Sequence, residues 1–117
     1  MLTKDSIFKA DDLPREEVAI PEWNGSVWVR TLTGRERDQF ESSCVTNKGK
    51  SRSVNMDNIR ARLCVLTVCN EKGDRLFDQR DVEKLGNKSS RCLDLIFSVA
   101  QKLNGLSSDD VDDLAKN

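Results

Sequence analysis

Residues 16–41 read EEVAIPEWNGSVWVRTLTGRERDQFE, and the changes of period inside this stretch decide the fold. Val18 and Ile20 alternate with polar residues, Asn24-Gly25 has the composition of a type I′ turn, and Val27, Val29 and Thr31 alternate again. That is the signature of a β-hairpin. A two-residue turn pairs Ile20 with Val29 and Val18 with Thr31. One face then carries Val18, Ile20, Val27 and Val29, and the other carries Pro21, Trp23, Trp28 and Leu32. In this register Pro21 falls on a hydrogen-bonding position it cannot fill, so a wider loop or an edge position is the alternative. Thr33-Gly34-Arg35-Glu36 then matches a capping box and starts a helix running to about Val45.

Toward the N-terminus, Thr3 can cap a short helix with Ile7 and Phe8 as its apolar contacts, ended by Asp11 to Pro14. Toward the C-terminus, residues 46–55 (TNKGKSRSVN) are polar, basic and aperiodic, which predicts a flexible loop. Asp57 or Asn55 can cap the next helix, where Ile59, Leu63, Leu66, Val65 and Val68 form a stripe broad enough for a central element. Gly73 turns the chain. Phe77-Asp78-Gln79-Arg80-Asp81-Val82 and Leu106-Ser107-Ser108-Asp109-Asp110-Val111 share an apolar N′, a capping residue, an acidic N3 and a valine at N4. Between them, Leu93, Ile96, Phe97, Ala100 and Leu103 recur at helical spacing, widened by Cys92, Leu95 and Val99. Gly105 ends that helix. The expected fold is α+β: an N-terminal β-hairpin or small antiparallel sheet packed on a mainly helical body of four to five helices. Residues 1–117 form one domain, with the hairpin at about 16–32, the basic loop at about 46–55 and the helical body at about 56–117.

Composition narrows the chemistry. The 117 residues are 37% hydrophobic and 33% charged, with a net charge of −1 and no histidine. A Ser-His or Cys-His nucleophile is therefore excluded, and the scattered glycines match no phosphate cradle. Cys64 and Cys69, five apart on a helix, point about 140° away from each other, so they cannot share a metal ion. The four cysteines, Cys44, Cys64, Cys69 and Cys92, read as small core residues. No catalytic residue, cofactor or metal site is expected. The first eight residues lack an apolar signal core and no run approaches the ~20 residues of a membrane span, which predicts a cytosolic chain with reduced thiols. Lys48-Gly49-Lys50-Ser51-Arg52 is basic but has no aromatic neighbour for base stacking, so nucleic-acid binding is a minor reading.

What remains points to protein contacts. Trp23 and Trp28, with Leu32, form an exposed apolar patch if the helices pack on the valine face, and core if they pack on the tryptophan face. Between Arg30 and Arg62, eight basic residues, Arg60 and Arg62 among them, outnumber four acidic ones, while Asp109, Asp110, Asp112 and Asp113 face only Lys116. Two solvated faces of opposite sign explain this plainly. Attraction between copies, the Asp109 to Asp113 helix against the Arg35 to Arg62 region, is the functional alternative, with Arg60, Arg62, Asp110 and Asp113 as candidate protein-binding residues.

Three pieces in order carry a resemblance: Ile20 to Gly25 (IPEWNG), Leu32 to Asp38 (LTGRERD) and Arg75 to Gly86 (RLFDQRDVEKLG). With the LIFSVAQKLNGLSSDDVDDLAKN end, the chain resembles the small tail assembly chaperones of long-tailed bacteriophages and prophages. The resemblance implies a protein of the infected host's cytoplasm that binds the tape measure protein, keeps it soluble and helps recruit tail tube subunits. It also implies self-association, absence from the finished virion, and a longer form made by −1 frameshifting. Ala115-Lys116-Asn117 can be encoded GCA AAA AAC, which holds a slippery heptamer; a gene lacking one there removes that expectation. The alternatives are a structural tail or connector subunit retained in the virion, and a weak nucleic-acid-binding regulator.

Overall fold

A computed structural model describes residues 1–48 and 51–106. In chain order it contains α1 (Lys4–Lys9), β1 (Arg15–Ile20), a 3-10 turn (Pro21–Trp23), β2 (Gly25–Arg30), α2 (Gly34–Ser43), β3 (Val45–Lys48) and β4 (Ser51–Val54). Then follow α3 (Ile59–Thr67), β5 (Val68–Cys69), a second 3-10 turn (Gln79–Asp81), α4 (Val82–Gly86) and α5 (Ser90–Asn104). The fold is α+β, as the period changes predict: a three-stranded antiparallel sheet ordered β1-β2-β5 against a helical body.

The hairpin is real, but its loop is wider than the Asn24-Gly25 turn. Pro21 opens a 3-10 turn, and Asn24 closes it in the left-handed region at φ 56°. Proline's fixed φ suits the start of such a turn, and asparagine tolerates positive φ. The register becomes Ile20 opposite Gly25, Val18 opposite Val27 and Glu16 opposite Val29, instead of Ile20 opposite Val29. The shift is an even number of residues, so the faces survive it. Val18, Ile20, Val27 and Val29 still share one face, and that face packs on α5. Ile20 and Val29 are fully buried, each a contribution of about 1.5–3 kcal/mol.

The helical body forms around α3. Its stripe is so broad because it meets α5 on one side and α2 and α4 on others. Ile59, Ala61, Leu63, Cys64, Val65, Leu66 and Thr67 are all buried, and the Thr67 hydroxyl donates to the Leu63 carbonyl at 2.9 Å. Neither Asp57 nor Asn55 caps this helix. Asn58 holds the N-cap position, in the left-handed region, but gives no side-chain cap; its side chain turns away to donate to the Val82 carbonyl at 3.2 Å.

Residues 46–55 are a second correction. The described part is not a loop but two antiparallel strands, with Val45 opposite Val54 and Lys48 opposite Ser51. The pairing is carried by backbone hydrogen bonds, which need no apolar alternation in the sequence. Arg62 fastens its base. Its guanidinium donates to the Ser43 carbonyl and hydroxyl, both at 2.7 Å, and to the Asn55 carbonyl. At the far end Gly105 (φ 62°) terminates α5, and the Leu106 N–H donates to the Gln101 carbonyl at 2.9 Å. The second capping echo, including Asp110 and Asp113, lies outside the described residues.

Candidate functional site

The two tryptophans part company. Trp23 sits in the 3-10 turn and packs at the edge of the core. With Phe77, Leu85, Asp81, Lys84 and Lys88 it lines an open, mainly apolar groove of about 380 Å³. Trp28 lies on the opposite face of β2, paired with Cys69 and half-buried, with the Arg15 guanidinium 5.9 Å from its ring centroid. Leu32 belongs with neither. It is core, and its N–H donates to Asn104 Oδ1 at 2.7 Å. The anticipated Pro21–Trp23–Trp28–Leu32 face therefore does not exist as a surface.

The expected basic surface is divided: Arg30 is buried, Arg37 and Arg62 are partly buried, and Arg35 and Arg60 are exposed. Arg30 is buried and donates to Glu36 Oε2 at 2.7 Å. Arg62 is the anchor of the β3–β4 ribbon, and Arg37 donates to Glu41 at 3.0 Å and to the Asn104 carbonyl at 2.9 Å. Arg60 is exposed but paired with Asp94 of α5. A cation held by a carboxylate partner has little charge left for a distant one.

Other apolar side chains remain uncovered. On α5, Leu95 and Val99 stand beside Val18 along a shallow trough of about 430 Å³ edged by Arg91, Asp94 and Ser98. In α1, capped by the expected Thr3 hydroxyl in a reciprocal pair with Ser6, no residue is buried, and Leu2, Ile7 and Phe8 are 74%, 52% and 76% exposed. Ile7 and Phe8 thus make no core contact, contrary to their reading as helix contacts. Sequence reasoning also missed Phe77 and the lysines at 84 and 88. The staple pattern marked Phe77 as an apolar N′ residue, but only the fold brings it beside Trp23.

The titratable groups offer no reactive centre among the described residues. All four thiols are free and buried. Burial, aided by the nearby Asp94 carboxylate, pushes the Cys64 thiol up to about 12, and burial raises Cys44, Cys69 and Cys92 as well. Thiols so protonated are poor nucleophiles. Asp78 is held below the usual carboxylate range by hydrogen bonds from Arg80, which suits its role at the start of the second 3-10 turn. No three His, Cys, Asp or Glu side chains gather as metal ligands among the described residues, and no helix there is long and apolar enough to cross a membrane.

Two of the sequence pieces that carry the resemblance prove to be fold determinants. In Leu32 to Asp38, Thr33 and Glu36 form the capping box of α2, Glu36 also pairs with Arg30, and Arg37 reaches the end of α5. In Arg75 to Gly86, Arg75 Nε donates to the Val65 carbonyl at 3.2 Å, Asp78 and Asp81 form a capping box, and Leu85 enters the core. The result is a small α+β body whose uncovered apolar side chains suit contact with another polypeptide. The family model described as phage tail assembly chaperone matches residues 4–117, and the chain belongs to that family. Among solved structures it is similar to the tail assembly chaperone of bacteriophage HK97, at 15% identity and a TM-score of 0.62, covering 89% of this chain and 95% of that one. That likeness is one of fold. No curated protein matches the chain.

Proposed function

We propose that this chain binds the phage tape measure protein in the host cytoplasm, keeps it soluble during tail assembly, helps recruit tail tube subunits and is left out of the finished virion. The family's chaperone role supports this reading. The observation that carries it is the apolar surface the fold leaves uncovered on α5, where Leu95 is 42% exposed beside Val99 and Val18. A trough of this kind suits the apolar stripe of a client helix, covered reversibly by burial of aliphatic side chains. The test is co-expression with the tape measure protein of the same tail gene cluster. The client is expected to become soluble and to co-purify with the wild-type chain, and Leu95→Asp is expected to abolish both. A client that stays insoluble with the wild type, or that is rescued equally by Leu95→Asp, defeats the reading.

Copies of the chain also associate with one another in this proposal. The exposed apolar groove beside Trp23, separate from the α5 trough, supports that part. A light-scattering mass that stays monomeric at every concentration would count against it.

A further inference from the structure

The groove beside Trp23 has a selective rim. Lys84 and Lys88 are exposed at its edge, and neither takes part in an ion pair among the described residues. The lining holds one carboxylate, Asp81, whose Oδ2 accepts the Asp78 N–H at 2.9 Å, so the rim carries two ammonium groups against one carboxylate. An apolar floor with a net positive rim favours an apolar segment flanked by carboxylates.

The chain carries one. Residues 106–114 read LSSDDVDDL. Val111 and Leu114 are three apart, so on a helix they share a face, with Cβ atoms about 5–6 Å apart. Asp110 and Asp113 immediately precede them. We infer that the segment 107–114 of one copy docks into the Trp23–Phe77–Leu85 groove of a second copy, with Asp110 and Asp113 against Lys84 and Lys88. This deepens the self-association reading above and rests on it.

Reach argues for the second copy. The groove lies at the N-terminal end of α5, since Lys88 precedes Ser90 by two residues and Glu22, next to Trp23, accepts from the Cys92 thiol. Leu106 lies beyond the C-terminal end. The 15 residues of α5 separate the two ends by about 22 Å. From Leu106, Val111 can extend at most about 18 Å, so it cannot enter the groove of its own chain. In a second copy no such limit applies. The contact joins two different surfaces, so it is head-to-tail and propagates into a ring or a spiral.

The test uses the full chain and two charge-reversed variants, Lys84→Glu/Lys88→Glu and Asp110→Lys/Asp113→Lys, each checked for folding by circular dichroism. Light-scattering mass is followed against concentration at low salt. The wild type is expected to associate, each variant to associate about tenfold more weakly or worse, and an equimolar mixture of the two variants to regain heterotypic association. A wild type that associates while both variants match it overturns this contact and leaves self-association standing. So does a wild type whose association is lost with Phe8→Asp but kept in both charge variants, which makes α1 the docking element. A wild type that never associates removes both.

Discussion

Arg30, buried at the end of β2, donates to Glu36 Oε2 at 2.7 Å, and Glu36 Oε1 accepts the Thr33 N–H at 2.9 Å. One carboxylate therefore closes the capping box of α2 and neutralises a cation held out of water against the sheet. Arg75 approaches the same oxygen at 3.6 Å. The piece from Leu32 to Asp38 thus acts as a clasp between sheet and helices.

Removing that carboxylate strands the Arg30 charge, and breaking a buried pair from one side costs about 3–5 kcal/mol. Glu36→Ala is expected to lose stability of that order in urea unfolding. Glu36→Gln keeps one acceptor oxygen, enough for Thr33 or Arg30 but not both, and is expected to lose less than Glu36→Ala. A Glu36→Ala loss under about 1 kcal/mol would show that the pair is as weak as a surface one.

Gly86 lies against the side chain of Asn58, whose Cγ would stand 2.8 Å from an added Cβ. Because Asn58 also donates to Val82, it cannot retreat without dropping that bond. Gly86→Ala is expected to destabilise by about 1–3 kcal/mol, and Asn58→Ala to relieve part of the loss in the double variant. Strict additivity of the two would mean that they do not meet.

Cys64 holds its proton to about pH 12, against an ordinary value of 9.0. A folded-state pKa raised above the unfolded one gives stability that is complete below about pH 9 and is lost as pH rises toward 12. The wild type is expected to lose stability through this window more steeply than Cys64→Ala. At pH 8 a water-soluble disulfide reagent should titrate no thiol until the protein unfolds. Equal slopes, or thiols that react in the native state, would contradict the burial.

Arg62 satisfies three oxygens at the base of the β3–β4 ribbon. Arg62→Ala is expected to abolish slow amide exchange in residues 45–48 and 51–54 while α5 keeps its protection. Lysine lacks the planar fork and should not restore it. Protection retained in Arg62→Ala would place the ribbon's support in its own strand pairing.

The groove and the α5 trough were only partly legible in the sequence. Trp23 was a candidate from residue type and Leu95 from periodicity, but Phe77 is 54 positions from Trp23, and nothing local brings them together. Trp28 and Leu32 shared a face with Trp23 only in a register that the wider loop replaces. Arg60 and Arg62 read as surface charge because an arginine's partner, Asp94 or the Ser43 carbonyl, is set by packing and not by neighbours in the chain.

Local chemistry determined the caps at Thr3, Thr33 and Asp78, the stop at Gly105, the valine face of the hairpin and the absence of histidine chemistry. Each depends on residues within a turn or a strand, and side-chain alternation survives any even shift of register. Tertiary structure alone decided that β5 pairs with β2, that α5 covers the valine face and that Trp23 borders an open groove. Those outcomes depend on which distant apolar surfaces exclude the most water together, a property of the assembled body.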